Sequence, residues 1–169
     1  MRVVLSLFVT ALVALPTSIV AQRRPIGTTE KEKTVGVAIA MKVDGASYNF
    51  NGPAVCEHLA KGSIYDTPAE RWSVRHDDKG RNVNLTLWRP LTGVGDMATF
   101  AVSMRGESYN VSTVRNPRAP QTSGTVNVKL ARQGSGGAFV IDARTAAGAS
   151  LGGEITCDAF TTPEIVAGN

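Results

Sequence analysis

In the stretch VGVAIAMKVDGASYNFNG (35–52), every second residue from Val35 to Val43 is apolar. Asp44–Gly45 follows, and a second alternating run passes through Tyr48 and Phe50. A period of two sets Val35, Val37, Ile39, Met41 and Val43 on one side of an extended strand, and an Asp-Gly pair between two such runs marks a tight hairpin. A chain that begins its domain this way is committed to antiparallel strands with one buried face.

The pattern recurs. Trp72, Val74 and His76 lead through DDKG to Val83, Leu85 and Leu87, with Pro90 closing that strand. Phe100, Val102 and Met104 precede a turn at Arg105–Gly106, and Tyr109 and Val111 return. After the irregular segment 114–124 come Val126, Val128 and Leu130, the turn GSGG, then Phe139 and Ile141, and finally SLGGEITC with Leu151, Gly153, Ile155 and Cys157. About nine short strands separated by turn residues, with little or no helix, predict an all-β antiparallel sandwich or flattened barrel. One segment breaks the rhythm. Residues 51–70 show no clear alternation, and Pro53 with Gly62 frames a possible short helix through Val55 and Leu59.

The N-terminal MRVVLSLFVTALVALPTSIVAQ has one cation, an apolar run from Val3 to Leu15, Pro16, and Ala21 before Gln22. This is the layout of a signal peptide over 1–21, and the run is shorter than the roughly 20 residues that span a bilayer. The expected organisation is a signal peptide (1–21), a flexible leader (22–34), a β-sandwich domain (35–160) and a C-terminal tail (161–169). The mature form would be periplasmic or extracellular, with no membrane span. The chain carries a formal net charge of +4, yet from Val35 onward 13 Lys and Arg face 12 Asp and Glu. That balance is no footprint for nucleic acid.

Export bears on the two cysteines. Cys56 and Cys157 are an even pair in an oxidising compartment, so a disulfide that ties the last strand to the 51–70 segment is expected. The competing metal reading, from Cys56, Glu57, His58, Cys157 and Asp158, lacks the usual zinc spacings. Neither a metal nor a cofactor is predicted.

Catalytic patterns are sparse. The turn QGSGGA around Ser135 lacks a nucleophile elbow, and Asp77–Asp78 sit side by side in a hairpin loop instead of facing each other across a cleft. An enzyme would have to assemble its site around His58 and His76, with Glu57 and Asp77. Contact residues are sought instead among aromatics and their neighbours. Trp88, out of phase with Val83, Leu85 and Leu87, points away from their face; Arg89, Tyr65 and His58 complete the candidate ligand contacts. Asn84 (NLT) and Asn110 (NVS) are acceptor sequons that matter only in a glycosylating host.

The ending GAFVIDARTAAGASLGGEITCDAF (137–160), with its F-x-I, later glycines and final I-T-C, resembles the closing strands of small exported bacterial β-domains of uncharacterised function. It is loosely similar to the ending of the mycobacterial 19-kDa lipoprotein antigen family, whose members carry a cysteine pair. The resemblance implies an exported β-domain and no catalytic residue. No lipid-attachment cysteine follows the apolar run here, so that family's membrane anchor does not carry over. The combined expectation is a non-catalytic exported module that binds a protein or small ligand. The alternatives are a structural subunit of a surface assembly and the His58/His76 enzyme.

Overall fold

The computed structural model of the chain describes residues 32–114 and 123–163. The expected signal peptide, the leader up to Lys31, most of the 114–124 segment and the tail from 164 lie outside the described residues. Nine strands run in chain order: β1 Val35–Val43, β2 Ala46–Ile64, β3 Thr67–Asp78, β4 Arg81–Pro90, β5 Met97–Met104, β6 Glu107–Ser112, β7 Thr125–Gln133, β8 Gly136–Arg144 and β9 Ser150–Cys157. All pairings between them are antiparallel, in the order β6-β5-β4-β3-β2-β1-β9-β8-β7. The two edge strands, β6 and β7, approach one another without a ladder between them, so the sheet is a nearly closed barrel. No helix occurs among the described residues, and none there is long and apolar enough to cross a membrane.

The alternating residues fill the interior. Ile39, Leu85, Phe100, Phe139, Ile141 and Ile155 are at most 2% exposed, and Trp72 is 1% exposed. Four hairpins turn through positive-φ pairs, three of which end in glycine: Asp44–Gly45, Lys79–Gly80 and Arg105–Gly106. Both central residues of a type I′ turn need that conformation, which glycine adopts without a Cβ clash. Tyr65–Asp66 is the exception, with φ of 46° and 64° and no glycine.

The 51–70 segment is neither irregular nor helical. β2 continues through it to Ile64, and β3 starts at Thr67. Up to Ala54 the strand pairs with β1; from Val55 it pairs with β3, with a bulge between Leu59 and Gly62. β2 therefore passes from one wall to the other. Val55 and Cys56, adjacent in sequence, are both buried, which breaks the period of two. A strand of 19 residues is also far from the expected short one.

Where β1 and β2 part, the chain end fills the gap. Cys157 pairs with Val37 on β1 and forms a disulfide with Cys56, the Cα atoms being 6.4 Å apart. Thr161, expected in the tail, then donates its N–H to the Cys56 carbonyl at 2.9 Å and accepts the His58 N–H at 2.9 Å. Phe160 stands edge-on to Phe139 at 5.8 Å. Gly153 lies in β9 between β1 and β8; a Cβ there would come within 2.3 Å of the Ala40 carbonyl oxygen, at φ +153°. Its place on the inward phase of SLGGEITC follows from that approach.

Candidate functional site

Strand register decides where the candidate residues go. At the end of the barrel that carries the Tyr65–Asp66 turn and the 91–96 loop, β2, β3 and β4 align His58 with Trp72 and Trp72 with Leu87. The His58 imidazole stacks on the Trp72 indole, centroids 4.6 Å apart and planes 6° from parallel. From the β4 side the Arg89 guanidinium carbon lies 5.3 Å from the same indole. Arg89 is held by Asp96, with Nε donating to both carboxylate oxygens at 3.2 and 3.3 Å and Nη2 donating at 3.0 Å. Burial pushes the His58 pKa below its usual range; Arg132 pushes the same way and Glu70 opposes it. His58 Nε2 and Trp72 Nε1 are buried and have no hydrogen-bond partner among the described residues.

His58 and Arg89 are thus brought together around Trp72, which lies in the strand phase of Val74 and is buried. Trp88 goes elsewhere. As its phase requires, it lies on the outer face, half-buried, opposite Arg71 on β3 and Met97 on β5, while Leu59 on β2 faces Arg71. Tyr65 is at the turn tip and half-exposed. Leu91 and Val94 lie on the neighbouring loop and are 62% and 58% exposed; the Leu91 N–H donates to the Pro68 carbonyl at 3.0 Å. Neither residue was singled out by sequence, since nothing in PLTGVGD marks which apolar side chain turns outward.

No protein-family model, curated protein or solved structure matches the chain. The geometry of the site carries the argument alone.

His76, the other imidazole, is four residues beyond Trp72 on β3, about 13 Å along the strand from the His58 level. It is 3% exposed and packed at 3.7 Å from the Phe50 ring, with Tyr48 edge-on at 6.4 Å. The two histidines are not joined in one cleft. Asp78 is engaged across its turn by Arg81 at 2.8 Å, which holds its carboxyl below the usual range. Among the described residues no group of three or more His, Cys, Asp or Glu is placed to hold a metal ion, and both thiols are consumed in the disulfide. At the opposite end, an open hollow of about 660 Å³ lies between Asp44, the start of β6 at Glu107–Tyr109, and Ala147–Ala149. The Tyr109 hydroxyl donates to Glu107 there.

Proposed function

We propose that this chain is an exported, non-catalytic binding module whose contact surface is the loop end of the β2–β5 wall. The observation that carries the reading is the clustering of exposed apolar side chains. Of the four large hydrophobic residues exposed among the described residues, Tyr65, Leu91 and Val94 lie on two loops at one end of β3 and β4, where the Leu91–Pro68 hydrogen bond extends the β3–β4 ladder. Trp88 stands on the adjoining outer face. Apolar groups gathered on one rim of a soluble protein mark contact surfaces.

Backbone conformation adds support. A bulky tyrosine at positive φ is unusual, and here it holds its ring half-exposed at the turn tip. The signal-peptide layout and the C-terminal likeness to exported β-domains support export. The His58/His76 enzyme is disfavoured because the register separates the imidazoles along β3.

The test is retention of ligand from the extracellular or periplasmic fraction by immobilised protein. Replacing Leu91 and Val94 together by Ser should leave thermal stability within about 0.5 kcal/mol, as for exposed sites generally. Retention should fall at least several-fold. Unchanged retention would remove the loop end from the binding surface.

A further inference from the structure

The outer face of the β2–β6 wall has a chemistry of its own. Along β4 the outward side chains are Trp88, Thr86, Asn84 and Asn82, in that order, spanning about 20 Å. The neighbouring strands set further hydrogen-bonding groups beside them. Ser73 and Thr99 flank Thr86, while Arg75 and Ala101 flank Asn84, with Asn110 one strand further on. None of Trp88, Thr86, Asn84 or Asn82 spends a side-chain hydrogen bond on another described residue, whereas Ser73 donates to Glu57 at 3.1 Å and Arg75 pairs with Glu32. The Nε of Arg71, directly opposite Trp88, is buried without a partner. Charges on the face are mixed, Arg71 and Arg75 against Glu57, Asp77 and the Glu32 that pairs with Arg75, with no excess of cations. That mixture disfavours a polyanion or an anionic lipid surface and suits an uncharged ligand.

We infer that this face binds a linear, neutral oligosaccharide lying along β4, with one sugar ring stacked on Trp88. The inference rests on the reading of the chain as a binding module and names its ligand class. A pyranose offers an apolar C–H face that covers an indole, and hydroxyls that both donate and accept. Side-chain amides and hydroxyls do the same, so Asn84, Thr86 and Asn82 match a row of sugar hydroxyls without needing a fixed charge. β4 is paired on both sides, with β3 and β5, so the row is free of strand edges.

The experiment is calorimetric titration of the full, oxidised chain with hexasaccharides of glucan, mannan, xylan and chitin type. Retention of protein partners from the native fraction is measured in parallel. One glycan type should bind, and Trp88→Ala should weaken that binding about ten-fold or more while thermal unfolding stays cooperative. Should Trp88→Ala fail to fold, the outer-face pair Asn84→Ala/Thr86→Val carries the test, with a several-fold loss expected. Glycan binding that neither variant weakens would overturn the assignment to this face. No glycan binding, with a protein retained in a Trp88-dependent way, would overturn the ligand class and leave the binding module standing. Neither glycan nor protein bound would overturn both.

Discussion

The His76 imidazole is buried against the Tyr48 and Phe50 rings, and its surroundings set how the protein responds to acid. Burial lowers its pKa, Arg81 acts in the same direction, and Asp77 and Asp78 oppose both. Unfolding frees it to titrate at its ordinary 6.5. Between that value and the depressed native one, the unfolded chain binds more protons than the folded chain, so stability rises with pH there and is lost as pH falls below about 6.5. His58 shifts in the same direction and adds to the slope. Urea unfolding at pH 7.5 and pH 5 should therefore show a loss of stability in acid. His76→Phe, which keeps a ring against Phe50 but cannot be protonated, should remove a large part of the loss. An identical pH slope in that variant would show that His76 is already solvated in the native state.

At the level of single elements, the Tyr65–Asp66 turn is the one hairpin without glycine at its second positive-φ position, where the other three have Gly45, Gly80 and Gly106. Asp66→Gly should stabilise the fold by about 1 kcal/mol through relief of left-handed strain, read as a higher thermal midpoint. A lower midpoint would mean that the aspartate side chain holds the turn. The same comparison shows what the sequence could and could not disclose. β1, β5, β7 and β9, and β4 and β8 apart from Pro90 and the Gly136–Gly137 start, keep one inward face, so their buried residues follow directly from alternation, and the outward setting of Trp88 follows from its parity. β2 changes partner at Val55 and bulges after Leu59, so its inward residues obey no single period and the strand resembles a loop. For the same reason the stacking of His58 on Trp72 was hidden. It depends on a β2–β3 register that only the folded sheet defines. The Arg89–Asp96 pair was equally invisible, because it requires the 91–96 loop to fold back on β4.

For the molecule as a whole, the Cys56–Cys157 bridge joins residues 101 apart at the place where β1 leaves β2. A cross-link over so long a loop removes much of the freedom of the unfolded chain. Replacing both cysteines by Ala should cost about 2–5 kcal/mol, with a lower thermal midpoint and any binding activity largely intact at low temperature. Equal midpoints for the two proteins would show that the closure is maintained by the β1–β9 ladder and Thr161 alone. The position of β9 also orders events in time. β9 follows β1 and β8 in sequence and occupies the slot between them, so both of those strand edges stay unpaired until it docks. A partly folded chain that lacks β9 therefore presents two open strand edges at once, which is the form most apt to pair with a second chain.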